Sequence, residues 1–233
     1  MLQYRPSSTL DGGDLGWLKA KHHFVVSASG NPANAPLGAL VVWNDDEVAP
    51  GTGFALHGHA SMEIVTYVRS GTVTHRDSAG NVGETTAGDV QIMSAGKGIR
   101  HSEQNLGTSP LRLFQIWLRP RENGGAPSWG NRKFPKEERA NQWTVLASGL
   151  PEDDEEALPI RAAGRVLGAT LHAGRRLEYD LGALRYAYLA PASGIVEVNG
   201  RTVRTGDGIA AVDEPKLVVR ALEDAEIVLV VTE

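Results

Sequence analysis

Short apolar runs recur along the whole chain, and glycine, aspartate and asparagine residues separate them. Most of these runs are rich in β-branched or aromatic residues, which is typical of β-strands joined by tight turns. The sequence therefore predicts an all-β protein. The clearest predicted strands are Leu40–Trp43, Glu63–Val68, Thr72–His75, Leu111–Leu118, Tyr186–Leu189, Ile195–Val198 and Ile227–Val231.

The strand pattern is interrupted near the middle of the chain. Lys136–Gln142 follows Pro135 and is predicted to form a short helix. Pro151–Glu156 is a mainly acidic run, which suits a solvated connector better than a packed element. A domain boundary is therefore expected within residues 130–155.

The two halves of the chain share an internal repeat. An ungapped shift of 123 residues superimposes glycine and strand positions of the first half on those of the second, and both halves then reach a Gly-Asp turn. Glycine matches alone would be weak evidence in a chain with 27 glycines, but here they coincide with the same order of strands and turns. We predict two related β-barrels in tandem. The matched positions are Gly51 with Gly174, Ser70-Gly71 with Ser193-Gly194, Val73 with Val196, and Gly88-Asp89 with Gly206-Asp207.

Length and charge limit the function classes. A chain of 233 residues with 41% hydrophobic residues can form one large β domain or two barrels of about 100 residues each. The net charge is −5 and lysine and arginine form no block, so direct binding to nucleic acid is not expected. The N-terminus lacks the pattern of a signal peptide, and the longest aliphatic run, Ile227–Val231, is too short to cross a membrane. A cytoplasmic protein is expected.

Histidine and carboxylate residues form a candidate metal site in the first half. The chain has no cysteine, so a bound metal must be held by these residue types. His57 and His59 are separated by one residue, so on a β-strand both side chains project from the same face. His101 and Glu103 have the same spacing. A lone His-X-His pair is common on exposed strands, but two such pairs can supply three imidazoles and one carboxylate to a single cation. This set suits iron, manganese, copper, nickel or zinc.

Other residues compete for roles around this site. Glu63 has the strand parity of a ligand if the strand continues unbroken from His57. His75 lies beside a hairpin, where a solvated side chain is expected and a role near the substrate entrance is the alternative. The second half has Asp180, Gly182, Val219 and Ala221 at the positions that match the four ligands, so no metal site is expected there. His22, His23 and His172 are expected to pack or to bind nothing.

Apolar residues on the strands near the candidate ligands are Phe54, Met93, Phe114 and Trp117. Such residues usually fill a core. Any of them that faced the metal site would favour a flat aromatic ligand, because small-molecule pockets have apolar walls and few polar groups.

The first half resembles the cupin pattern, with Gly51, His57-Gly-His59, Glu63, Gly71, Gly88, Ser94-Ala-Gly96 and His101. Ser94 stands where cupins usually have proline, and His101 lies two residues later than usual. These departures are similar to those of pirins, particularly the bacterial quercetinase branch, and the resemblance extends over nearly the whole chain. Further strings that look like that family are Gly51–Phe54, Met62–Ile64, His75–Ser78, Ala87–Asp89 and Gln91–Glu103.

The resemblance implies a tandem cupin of two jelly-roll barrels. The expected N-terminal metal-binding barrel covers residues 1–132, the linker with its short helix 133–156, and the degenerate C-terminal barrel 157–233. In the family, the metal is held by the residues that match His57, His59, His101 and Glu103. The resemblance favours Fe(II) as the cofactor.

The resemblance also implies an activity, which is the cleavage of a flavonol such as quercetin by dioxygen with release of carbon monoxide. Glu103 is the expected base. The alternative is a non-enzymatic metal-binding regulatory protein, because pirins are also known as transcriptional cofactors that contact other proteins. A metal-free cupin that binds a sugar or a small acid is a third possibility, which the four candidate ligands oppose.

Overall fold

β-Strands make up almost all of the regular secondary structure of the computed structural model, which describes residues 1–26, 30–153 and 157–233. Its two short helical segments are 3-10 turns at Ser7–Thr9 and Pro32–Asn34. No helix in the described part of the chain is long and apolar enough to cross a membrane. The strands are β1 (Leu2–Arg5), β2 (Asp11–Asp14), β3 (Leu18–His22), β4 (Leu40–Val48), β5 (Thr52–His59), β6 (Glu63–Ser70), β7 (Thr72–Asp77), β8 (Val82–Thr86), β9 (Val90–Ser94), β10 (Ile99–Asn105), β11 (Leu111–Leu118), β12 (Ser128–Arg132), β13 (Thr144–Ser148), β14 (Leu158–Pro159), β15 (Gly164–Leu171), β16 (Arg176–Asp180), β17 (Tyr186–Ser193), β18 (Ile195–Val198), β19 (Arg201–Arg204), β20 (Gly208–Val212), β21 (Lys216–Ala221) and β22 (Ala225–Thr232).

These strands form two barrels with the same strand order. In the first barrel, the sheet β12-β9-β6-β11-β4-β3-β2 faces the sheet β5-β10-β7-β8. In the second, the sheet β1-β20-β17-β22-β15-β13-β14 faces β16-β21-β18-β19. The predicted tandem of two related β-barrels is confirmed, and β6 and β17 begin at residues 63 and 186, which are 123 positions apart.

The two large sheets pack against each other through their outer faces. One apolar cluster joins Trp43 and Phe114 of the first barrel to Tyr188, Val228 and Val230 of the second. Every residue of β22 is buried, because one face of this strand points into its own barrel and the other points into the interface. A strand buried on both faces has a continuous apolar run, as in the sequence Ile227–Val231.

A buried polar cluster also crosses this interface. The carboxylate of Glu226 on β22 accepts hydrogen bonds from Tyr67 Oη on β6, from Arg139 Nη2 at 2.8 Å and from Lys136 Nζ at 2.7 Å. Arg139 is only 1% exposed. The charge of its guanidinium group is compensated by Glu226 rather than by solvent.

The prediction of a short helix at Lys136–Gln142 is wrong, because these residues form turns and an isolated bridge. Asn141 N–H donates to Thr170 O at 2.7 Å, and Thr170 N–H donates to Arg139 O at 3.2 Å. These backbone groups therefore pair with β15 and are not free for the bonds of a helix. The burial of Arg139 between the barrels favours the same path.

The domain boundaries also differ from the expected ones. β13 lies inside the expected linker 133–156, yet it pairs with β15 in the sheet of the second barrel. β1 lies inside the expected first domain, yet it pairs with β20 of the second barrel. Within the expected acidic connector, Asp153 forms an ion pair with Arg165, and residues 154–156 lie outside the described part.

Candidate metal centre

Three histidines converge at the end of the smaller sheet of the first barrel. β5 and β10 are antiparallel neighbours, and their register places His57 directly opposite His101. The Nε2 atoms of these two residues are 3.1 Å apart. Candidate ligand atoms of His57, His59 and His101 all lie within 4.8 Å of one another. This spacing fits three ligands of one metal ion.

The protonation of His59 and His101 also fits a metal. Burial is the main cause that lowers the pKa of His101 to about 3 and that of His59 to about 4, and neighbouring histidines lower both further. Both rings are therefore neutral at pH 7. His57 Nδ1 lies 2.7 Å from Ala55 O, which can only accept a hydrogen bond, so Nδ1 carries a proton and donates it. In a neutral ring with this proton on Nδ1, Nε2 carries the lone pair that a metal binds.

An unpaired ring nitrogen supports the same conclusion. His59 Nε2 is buried and has no hydrogen-bond partner among the described residues. A buried polar atom without a partner is costly. A cation that accepts nitrogen lone pairs would remove part of this cost, so the residues present fit a divalent transition metal.

Glu103 lies beside His101 but is held by amide side chains. Its Oε1 accepts a hydrogen bond from Gln91 Nε2 at 2.6 Å, and its Oε2 accepts one from Gln115 Nε2 at 2.8 Å. A β-bulge between His101 and Glu103 shifts the register here. Glu103 belongs to a second group of close ligand atoms, with His75 and His101. Burial raises the pKa of Glu103, although His75 and the hydrogen bonds act against the increase.

His75 is completely buried, contrary to the expected solvated side chain. Its Nε2 pairs with Asp77 Oδ2 at 3.0 Å, and its ring stacks on Trp129 at 4.8 Å. The imidazole is covered by Trp129 of β12, a strand of the larger sheet of the first barrel. The sequence could have indicated this burial. His75 lies two residues after Val73, so both side chains share one face of β7, and Val73 is also buried.

Glu63, the alternative ligand, faces a different partner. Its carboxylate accepts hydrogen bonds from Ser94 Oγ and, at 3.0 Å, from Arg161 N–H. It belongs to neither group of close ligand atoms. Glu63 therefore connects the first barrel to the loop between β14 and β15 of the second barrel.

A cavity of about 60 Å³ lies next to the three histidines. Phe54 and Trp117 line it, and the ring of Trp117 meets that of His59 edge-on at 4.9 Å. Met93 and Phe114 do not line it. Met93 packs in a separate apolar cluster that includes Ile64. The complete lining is Asn44, Asp46, Phe54, His57, His59, Ile64, His101, Glu103, Gln115 and Trp117.

Alternation along β11 explains why Phe114 is absent from this cavity. Gln115 and Trp117 point into the barrel and line the cavity, whereas Phe114 and Ile116 point to the interface between the barrels. A strand that is buried on both faces gives no sequence signal for which face is which. This is why Phe114 and Trp117 were grouped together.

Sequence reasoning missed the polar part of the lining. Asn44 and Asp46 lie on β4, which was predicted to end at Trp43 because the following residues are polar and resemble a loop. Asp46 is 2% exposed, and burial is the main cause that raises its pKa to about 7, with Asp45 and Glu103 contributing. The apolar Val48, which lies two residues after Asp46 and just before Pro50-Gly51, is the sequence signal that could have extended the strand.

The second barrel has no comparable cluster in its described residues. Val219 and Ala221 are buried in its apolar core, and Asp180 is exposed. The remaining histidines are also apart from the metal centre. His23 is buried against Tyr188, and His172 is 60% exposed.

Two family models match the chain. The model described as Pirin matches residues 4–118, and the model described as Quercetinase C-terminal cupin domain matches residues 145–230. A protein named "Pirin-like protein" from Caulobacter vibrioides is 55% identical over 230 residues, covering 99% of both chains. A protein named "Quercetin 2,3-dioxygenase" from Escherichia coli is 36% identical over 230 residues, covering 98% of this chain and 97% of that protein.

Solved structures give the same picture. The crystal structure of YhhW from Escherichia coli has a TM-score of 0.93 and 34% identity, covering 100% of this chain and 98% of that one. A second structure, described as bacterial pirin YhhW in complex with nickel(II), has a TM-score of 0.91 and 34% identity, covering 100% and 99%.

Proposed function

This chain belongs to the pirin family of cupin proteins, and from that premise we propose that it is a metal-dependent dioxygenase that cleaves flavonols such as quercetin and releases carbon monoxide. The observation that carries the proposal is the convergence of His57, His59 and His101, three rings with ligand atoms within 4.8 Å, beside a cavity with aromatic walls. Relatives named quercetin 2,3-dioxygenase support the reaction type.

In this proposal the three histidines hold one divalent metal, Fe(II), with Glu103 as the fourth ligand. When bound, the metal supplies Lewis acidity and electron exchange with dioxygen. The burial of His59 and His101 keeps both rings in the neutral form, so the metal does not have to compete with a second proton for their nitrogen lone pairs.

Glu103 is the proposed proton acceptor for the flavonol hydroxyl. Burial raises its pKa, which makes its carboxylate a stronger base than an exposed one. Gln91 and Gln115 hold the two carboxylate oxygens and fix their direction. A metal bound to the same carboxylate would weaken it as a base, so proton transfer requires the oxygen that the metal leaves free.

Phe54 and Trp117 would exclude water and hold a flat ring. The cavity of about 60 Å³ is small. It has room for roughly four water molecules. Only the reacting part of a flavonol would therefore enter it, with the rest toward solvent.

The experiment is turnover with quercetin after metal reconstitution. Stripped protein is loaded separately with Fe(II), Mn(II), Cu(II) or Ni(II), and oxygen uptake and carbon monoxide release are measured. The expected result is turnover with at least one metal that is abolished in the His57→Ala/His101→Ala variant. The exposed His172→Ala is the matched control and should retain turnover. Tight metal binding without turnover on quercetin would contradict the enzyme proposal and favour a metal-binding regulatory protein.

A further inference from the structure

Three polar atoms without partners belong to residues that line the cavity beside the histidines. Asn44 Oδ1, Asp46 Oδ1 and Trp117 Nε1 are all buried, and none has a hydrogen-bond partner among the described residues. Two of them are acceptors and one is a donor. Each unpaired buried group is costly, so three at one cavity indicate a polar ligand rather than a packing defect.

The two acceptors have a common origin in β4. Asn44 and Asp46 are two residues apart, so both side chains face the interior of the first barrel. Asp45 and Glu47, which alternate with them along β4, face the other way. Asp45 pairs with Arg69, and Glu47 pairs with Lys19 at 3.2 Å. The outward carboxylates of this strand are therefore neutralised by cations, and the inward one is not.

Asp46 is also separate from the candidate metal ligands. It is in neither group of close ligand atoms, yet it lines the same cavity as His57 and Glu103. Its Oδ1 is therefore available to a ligand that reaches the histidines. The nearby Trp117 Nε1 can donate to an oxygen of the same ligand.

We propose that Asn44 and Asp46 recognise a hydroxyl group of the ligand, adjacent to the oxygen that reaches the histidine cluster. The ligand class is an aromatic or enolic compound with two neighbouring oxygen substituents, at least one of them a hydroxyl. This inference rests on the proposed function for the position of the reacting oxygen. It adds that the second substituent determines specificity.

The test is a comparison of catechol with phenol as probes. Both are titrated by calorimetry into protein loaded with Zn(II), which is redox-inert, so that binding is measured without turnover. Metal chelation by catechol is the same in every variant, so the change in the catechol-to-phenol affinity ratio isolates the contact with the protein. The variants are Asp46→Leu and Asn44→Leu, with Glu47→Gln on the opposite face of β4 as the matched control.

We expect Asp46→Leu to reduce the affinity ratio about tenfold, which is the effect of losing one hydrogen bond to a charged group. Phenol affinity should change little, and Glu47→Gln should leave the ratio unchanged. Because Asp46→Leu removes an unpaired buried carboxyl group, its Tm should equal or exceed that of the wild type.

An unchanged ratio in both leucine variants would overturn the inference. A marked fall in the Tm of Asp46→Leu with an unchanged ratio would show that Asp46 is structural. These outcomes are distinct from a failure of the proposed function, which would appear as absent quercetin turnover while catechol and phenol binding remain measurable.

Discussion

His57 and His101 face each other across β5 and β10 with their Nε2 atoms 3.1 Å apart. The hydrogen bond from His57 Nδ1 to Ala55 O leaves its Nε2 without a proton when the ring is neutral. Burial holds His101 neutral as well. The two Nε2 atoms therefore share a proton in a hydrogen bond, and a metal ion bound to both nitrogens would take the place of that proton.

Removing one of these rings should abolish metal binding while leaving the fold intact. We expect His101→Ala to weaken the affinity for Zn(II) at least a hundredfold, since even residues that only support a ligand change affinity by 10 to 100-fold. Competition with a chromogenic chelator measures this affinity. Glu63→Gln is the control and should keep wild-type affinity, because its carboxylate binds Ser94 and Arg161. If Glu63→Gln instead lost its affinity for Zn(II), Glu63 would have to be a metal ligand.

The amide that holds Glu103 should tune the metal site from outside the cavity. Gln91→Leu removes the hydrogen bond of 2.6 Å to Glu103 Oε1 without changing a cavity-lining residue. We expect about tenfold weaker metal binding, since the carboxylate loses its fixed direction. The isosteric Thr85→Val, which removes the hydrogen bond to Gln91 and a weaker one from Asn131, should have a smaller effect. Equal affinities for Gln91→Leu and the wild type would show that the hydrogen bond from Gln91 does not tune the metal site, since Gln115 still holds Glu103.

His23 should make the metal-free protein less stable in acid. Burial lowers its pKa from 6.5 to about 3. Between these values the unfolded state binds a proton that the folded state does not, so the free energy of unfolding falls as pH falls. The contribution is about 1.4 kcal/mol per pH unit.

The measurement is urea unfolding of the wild type and His23→Gln between pH 4.5 and 7. Above pH 6.5 the difference between them should be constant, and below it the wild type should lose stability more steeply. The comparison is needed because Asp46, with a raised pKa of about 7, contributes the opposite slope in both proteins. Parallel curves throughout would show that His23 takes up its proton at the same pH in the folded and the unfolded state, so that its pKa is not lowered by burial.

Glu226 should be essential to the junction of the barrels. Glu226→Gln leaves Arg139, which is 1% exposed, without its charge partner. Breaking a buried ion pair from one side costs about 3 to 5 kcal/mol, and denaturant unfolding measures this loss. Arg139→Met/Glu226→Gln should recover part of it. If the double variant were less stable than Glu226→Gln, the two residues would not act as a pair.

The fold was predictable where alternation and turn residues agree. The repeat of 123 residues appears in the structure as β6 and β17, and the glycines before the matching strands, Gly51 and Gly174, both have positive φ. The sequence predicts a helix at Lys136–Gln142, whereas the structure has turns there. The reason is that the backbone of this segment is hydrogen-bonded to Thr170, a residue distant in sequence. Local signals contain no information about such a partner.

The candidate site was predictable only in part for a similar reason. The spacing of His57 and His59 and of His101 and Glu103 identifies residues that share a face, and the structure brings the three histidines together. The burial of His75 and Asp46 depends on which strands cover them. The polar residues of β4 resemble a loop until the barrel around them is known.

The pairing of β1 with β20 joins the first residues of the chain to the last barrel, and Met1 N donates to Val212 O across 211 positions. During synthesis, β1 has no partner until most of the chain has emerged from the ribosome. Contacts of such long sequence separation form slowly. β1 is thus expected to dock late, and a nascent chain that stops before residue 212 leaves the edge of β1 unpaired and open to aggregation.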